Sequence, residues 1–226
     1  MRIVVTDLTR MREGHICVAG IDLATGERVR PVRDRLGAEL LRTNGGPFDV
    51  GAIVDLGSCR PVGSAPEVED VLFQPSRCVH RGYVPPDEFY ELCKSKSAAD
   101  LSAIGPELKQ FGRSLTTLEG KGDCSLVFVS SRIIPKVFIN AYNKLRYDYG
   151  SRIELSVTDV RLYDRKLLEP DAKKVEQLQS RLAACDEFVL SIGLGRAWQQ
   201  PDDLHRRHYL QLNNVHLKTH AGWKLQ

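Results

Sequence analysis

The apolar positions of this chain fall into two blocks of short runs, separated by a stretch with a different period. In the first block "RIVVTDL" predicts one strand, "HICVAGID" a second and "ERVRPV" a third. Gly26, in "DLATGE", stands where a hairpin turn needs a positive φ. Pro31 ends the third strand or places it at an edge. "RDRLGAELLRTNGGPFDVG" is irregular, with a short helical piece near residues 39–41, and "AIVDLGSC" and "EVEDVLFQ" predict two further strands. Short strands with turn chemistry between them fit a small barrel better than a parallel α/β sheet.

The period then changes. "PPDEFYELCKSKSAADL" has prolines, then acids, then an apolar stripe at Phe89, Leu92 and Cys93, which predicts a helix. Residues 98–122 are mixed. In the second block "CSLVFVSSRI" and "KVFINAYNKLRYDYG" predict two strands, and "SRIELSVTDVRLYD" a long third. In that third strand the inward set slips by one residue at Thr158-Asp159, as at a β-bulge. "EPDAKKVEQLQSRLAAC" is an amphipathic helix with Val175, Leu178 and Leu182 on one face. "EFVLSIGL" and "HYLQLNNVHLK" supply the last strands. The expected class is therefore mainly β with inserted helices. Two tandem OB-like β-barrels, residues 1–84 and 123–226, are joined by a helical or irregular connector at 85–122, with a helix inserted in the second around 170–185.

Composition adds little to that picture and removes some function classes. The 226 residues, 42% hydrophobic and 27% charged, can bury a core. No apolar run approaches the ~20 residues of a membrane helix. Met1-Arg2 leads directly into a strand, with no secretory apolar region, so a cytoplasmic protein without a membrane partner is expected. The six cysteines are scattered and form no C-x-x-C pair, which argues for free thiols among apolar neighbours and against a zinc ribbon. The net charge of +3 is unevenly placed. Residues 1–100 carry 13 basic and 15 acidic side chains, the remainder 19 and 14. Such a bias allows a nucleic-acid partner without requiring one.

"RIVVTDLTRM", "HICVAGIDLATGERVRPV" and "FVLSIGLGRAW…HYLQLNNVHL" together resemble the bacterial dual OB-containing domain proteins, from the first strand to Val215. The resemblance implies two tandem OB-like barrels and, by analogy with OB folds, nucleic-acid binding. OB folds also bind proteins and sugars, so the analogy alone does not assign function. No catalytic pattern comes with it.

The candidate chemistry is cationic and aromatic. Arg28, Arg30, Arg33 and Arg35 lie in "ERVRPVRDRL", where Arg28 and Arg30 share a strand face and their guanidiniums suit phosphate. The bland reading is a solvated face neutralised by Glu27 and Asp34. "NAYNKLRYDYGSR" interleaves Tyr142, Tyr147 and Tyr149 with Lys144, Arg146 and Arg152, where aromatics would stack bases and cations track the backbone. Half-buried strand tyrosines would look the same. "LGRAW" presents Arg196 and Trp198 beyond Gly193 and Gly195, and "DDLHRRHY" adds Arg206 and Arg207. His205 and His208 in that stretch have no third ligand, so no metal is expected. Arg10 ends the first strand beside Asp7. That pair is either an acid/base cluster or a structural ion pair, and the structural reading is preferred. No phosphate-loop, nucleophile-elbow, zincin or dinucleotide motif is present, and no cofactor is expected.

These features favour a non-catalytic protein holding nucleic acid, single-stranded rather than duplex, because only exposed bases stack on aromatics. Arg30, Arg33, Tyr147, Arg196 and Trp198 would form the surface. The alternatives are a protein-interaction adaptor in a bacterial multi-protein system, such as one for mobile-element defence, and an enzyme acting on nucleotides or nucleic acid through Asp7 and Arg10.

Overall fold

The computed structural model describes residues 1–201 and 203–219. The first block builds β1 (Arg2–Arg10), β2 (Ile16–Asp22), β3 (Arg28–Val32), β4 (Ala52–Asp55), β5 (Arg60–Pro61), β6 (Asp70–Leu72) and β7 (Val79–Tyr83). They form one sheet in the order β5-β6-β3-β2-β1-β4-β7. Helix α1 (Pro86–Ser95) follows. The chain then adds β8 (Ser97–Ala98), β9 (Lys109–Phe111), β10 (Ser114–Leu118), β11 (Leu126–Ser131), β12 (Lys136–Ile139), β13 (Leu145–Gly150) and β14 (Ile153–Val157). After α2 (Ala172–Ala183) come β15 (Phe188–Leu194) and β16 (Arg207–Leu217). The second sheet runs β12-β13-β14-β16-β15-β11-β8, and a β9–β10 hairpin attaches to β16 through β10. The molecule is mainly β, and among the described residues neither strand path closes on itself.

The helices form for local reasons that the sequence shows. Pro85 and Pro86 stand at the start of α1, and Phe89, Tyr90 and Cys93 are its buried stripe. The Asp171 carboxylate caps α2 by accepting from the Lys173 and Lys174 amides, and Val175, Leu178 and Leu182 are buried.

Three local expectations change. The run 136–150 is a hairpin rather than one strand, with β12 and β13 paired from Lys136↔Asp148 to Ile139↔Leu145. Asn140 makes the turn, its Oδ1 accepting from the Tyr142 and Lys144 amides. The long strand with a bulge at Thr158-Asp159 instead ends at Val157. Asp159 caps a 3₁₀ turn, Val160–Leu162, and that turn, not a strand, carries Val160 and Leu162 into the core. Finally, residues 97–118 contribute β8, β9 and β10, all joined to the second sheet.

β1 and β15 are inner strands of their sheets, paired along both edges, and both are buried on both faces. Each has an irregularity at the point where the two sheets meet. The β1–β2 register shifts between Val5 and Asp7, which leaves Thr6 as the extra residue. The β15–β16 register shifts between Ser191 and Ile192, which leaves Asn213 extra on β16. Bulges re-aim side chains, and here polar groups meet across the sheets. The Leu8 amide donates to Asn214 Oδ1 at 3.0 Å, and Ser191 donates its hydroxyl to Asp7. Gly193 leaves room for an amide at this junction: a Cβ there would stand 2.5 Å from Asn213 Nδ2, which would have to shift.

The same interface holds a neutral histidine. His216 sits edge to face with Phe89 at 5.2 Å and with Phe128 at 6.0 Å. Burial, with Arg161 and Arg28 nearby, pulls its pKa down to about 3. The unfolded imidazole titrates near ~6.5. The depressed value therefore contributes stability that is complete above pH ~6.5 and is lost as pH falls toward 3. By pH ~4 the loss from this group alone is at most about 3 kcal/mol. Urea unfolding across that range should show a flatter acid limb for His216→Leu than for the parent. Parallel limbs would remove this account.

Candidate functional site

A cavity of about 650 Å³ opens where the two sheets meet. β1, β2 and β3 supply one wall, through Asp7, Cys17 and Arg30. Leu194, Gln211 and Asn213 of β15 and β16 supply the other, continued by the loop Gly195–Trp198. Two turns form the rim, 10–15 and 33–36, and the Ile16 amide joins them by donating to the Leu36 carbonyl at 2.9 Å.

Six arginines line this space: Arg10, Arg12, Arg30, Arg33, Arg35 and Arg196. Two of them are pinned by one carboxylate. Arg30 Nε donates to Asp70 Oδ1 at 2.5 Å, and Arg196 Nη2 donates to Asp70 Oδ2. Arg196 Nη1 also stands 3.2 Å from Glu67. Burial disfavours the Arg30 charge, but the Asp70 and Glu69 carboxylates hold its pKa above the ordinary arginine value. The Cys17 thiol is pushed up by burial, against the pull of Arg30 and Arg196, and stays neutral. The other four arginines have no carboxylate within 4.0 Å among the described residues. Arg10 instead donates to two carbonyls, Leu167 at 2.6 Å and Leu168 at 3.2 Å, and lies 5.1 Å from the Tyr163 ring centroid. Carbonyl partners orient a guanidinium without cancelling its charge.

Trp198 completes the cavity. It is 43% exposed, and Tyr209 lies 5.8 Å away between ring centroids. Its backbone exchanges two hydrogen bonds of 3.0 Å with Arg207, which fixes the strand end on which it stands.

The structure thus brings Arg10, Arg30, Arg33, Arg196 and Trp198 to one place. It puts the other sequence candidates elsewhere. Arg28 is enclosed between the sheets, 2.6 Å from Asp7 and with its guanidinium 3.8 Å above the Phe128 ring centroid. Asp7 therefore pairs with Arg28 and not with Arg10, because the bulge at Thr6 meets β3 and β15 rather than the strand end. The tyrosines lie on the β12–β13 hairpin, which contributes nothing to the cavity. Tyr147 is buried, with Tyr149 edge-on at 6.2 Å, whereas Tyr142 and Lys144 are exposed. Arg206 donates to the Ala197 carbonyl and approaches Glu119 at 3.3 Å. Arg207 is held by Asp203 at 2.6 Å and lies over Phe111 at 4.3 Å.

Sequence reasoning missed Arg12, Gln211 and Asn213, and left Arg35 of the basic stretch out of the expected surface. A signal for the two arginines exists: both rim turns read R-x-R-x-G, Arg10 to Gly14 and Arg33 to Gly37. The two amides carry no such signal, because they reach the site only through the bulge in β16.

The model of the dual OB-containing domain family matches residues 1–215. No curated protein and no solved structure matches the chain.

Proposed function

The chain belongs to the dual OB-containing domain family, and from that membership we infer that it is a non-catalytic nucleic-acid-binding protein holding single-stranded DNA or RNA. The observation that supports this reading best is the convergence of six arginines and Trp198 on one cavity at the sheet junction. Four of those guanidiniums have no carboxylate within 4.0 Å among the described residues, and phosphate is the anion their geometry suits. Trp198 offers the ring on which an unpaired base stacks, a contact worth ~1–3 kcal/mol. Duplex would keep its bases out of reach of that ring. Asp7, the one candidate for acid/base chemistry, already accepts from Thr6, Arg28 and Ser191, and this supports a structural role for it.

A filter-binding panel of single- and double-stranded DNA and RNA tests the reading. With about four phosphate contacts, affinity for single strands should fall roughly 50-fold between about 50 and 200 mM salt. Arg33→Ala, at an exposed rim position, should weaken binding and reduce the salt slope by about 0.7. Salt-independent binding, or a preference for duplex, would overturn it. Retention of a protein partner after nuclease treatment, without strand binding, would favour an adaptor instead.

A further inference from the structure

A strand crossing a protein surface runs along a groove open at both ends. The arginine-lined cavity is different: it is walled by two sheets and capped at its rim by two turns tied to each other. Its volume of about 650 Å³ lies inside the ~300–1,000 Å³ typical of small-molecule sites. Arg30, deep in the wall, is only 5% exposed, and its Nη2 has no hydrogen-bond partner among the described residues. An unmatched buried donor on a charged group costs ~1–3 kcal/mol or more, as it does for Arg28 Nε and Nη1 outside the cavity, so it is the place of Arg30 in the cavity wall that bears on a ligand. Asp70 takes one N–H from Arg30 and one from Arg196. Each guanidinium has five donors, so both are oriented with donors to spare. Along the same wall Gln211 Nε2 donates to Asn213 Oδ1 at 3.0 Å. That pairing fixes two amides beside the cavity and leaves Gln211 Oε1 and Asn213 Nδ2 for further bonds.

We propose that the cavity takes a single phosphate-bearing nucleotide unit, with its phosphate on Arg30 and Arg196 and its base against Trp198 and the Gln211–Asn213 amides. The unit comes from the phosphorylated end of a bound strand, which rests on the nucleic-acid reading above, or from a free nucleotide, which does not.

The full chain is titrated with four probes: an oligonucleotide of ~16 nucleotides bearing a terminal phosphate, the same strand without it, a closed circle of equal length, and nucleoside monophosphates. Both the phosphate-terminated strand at either end and the free nucleotide are read by direct binding and by competition. The expected result is that the end-phosphorylated strand binds about tenfold or more tighter than the circle, and that nucleoside monophosphate competes for the difference. Arg196→Gln should remove that preference, and Trp198→Leu should weaken the monophosphate. Both positions are partly exposed, so neither variant depends on repacking the core. Arg30→Lys, which keeps the charge and loses the fork, should fall between. If circle and linear strand bind equally and monophosphate does not bind, this proposal fails while strand binding stands. If monophosphate binds in an Arg196-dependent way and no strand does, the cavity assignment holds and the strand reading fails. Binding of no probe overturns both.

Discussion

Replacing Asp7 with alanine should cost about 3–5 kcal/mol of folding stability, the range for breaking one side of a buried ion pair. Asp7 is 1% exposed. Its two oxygens accept from Thr6 Oγ1 at 2.7 Å, from Arg28 Nη2 at 2.6 Å and from Ser191 Oγ. Without it, the Arg28 guanidinium keeps only the Phe128 ring and a 3.3 Å contact to Ser191. A charge left there lies between two sheets with no other carboxylate within 4.0 Å among the described residues. The loss is a large share of the ~5–15 kcal/mol that holds a typical domain together. Urea unfolding of Asp7→Ala, Arg28→Met and the double variant checks this. The double variant should be less damaged than the sum of the two singles, because it removes the uncompensated charge. Additive losses would show that the pair is not coupled. Asp7→Asn keeps the shape and one acceptor, and should lose less. Any folded Asp7→Asn protein should still bind single strands, since its carboxylate is already occupied.

The second large effect is expected at Asp159, also fully buried. Its Oδ1 accepts from the Arg161 amide at 3.0 Å and from Arg161 Nε at 2.9 Å, and its Oδ2 accepts from Arg161 Nη2 at 2.6 Å. Arg161 Nη2 also donates to the Val215 carbonyl at 3.1 Å. One carboxylate thus caps the 3₁₀ turn, neutralises a buried guanidinium and ties the turn to β16. Asp159→Ala removes the cap, worth ~0.5–2 kcal/mol, and takes the adjoining carboxylate away from the buried Arg161 guanidinium. The combined loss should again reach about 3–5 kcal/mol. A binding readout follows from the same contacts. The Arg10 amide donates to the Thr158 carbonyl at 2.6 Å, so loosening this turn should also weaken strand binding at the rim. Thermal and urea unfolding of Asp159→Ala beside Asp159→Asn would show it, and an unchanged midpoint for the alanine variant would exclude this role.

Much of this fold was readable because its causes are local. The apolar runs at residues 2–10, 16–22 and 188–194 became strands, and the stripes at Phe89–Cys93 and Val175–Leu182 became helices. Those elements depend on periodicity and on prolines and caps within a few residues. The hairpin at 140–144 and the turn at 160–162 were misread for a related reason. Asn140 and Asp159 bend the chain by accepting backbone N–H bonds, and an apolar count does not register that.

The site divides in the same way. "FVLSIGLGRAW" and the N-terminal "IVVTDLTRM" stand out in the sequence because each apolar strand ends on arginine, and the structure brings Arg196 and Arg10 to one cavity. Gly193 was conspicuous too, but its cause was not: Asn213 occupies the space a Cβ would need. Nor could the sequence separate Arg28 from Arg30. Both belong to β3, yet Arg28 pairs with Asp7 between the sheets and Arg30 pairs with Asp70 and lines the cavity. The choice depends on which carboxylate lies across the interface, in one case from β1 and in the other from β6. By itself, then, the sequence determined the elements, the mainly β class and the stock of arginines, because backbone preference and burial period act over a few residues. Only the tertiary structure decided which arginines pair with a carboxylate and which line the cavity. Ion pairing and enclosure depend on groups about 20 to 130 residues apart, which meet only once two bulged strands have packed against each other.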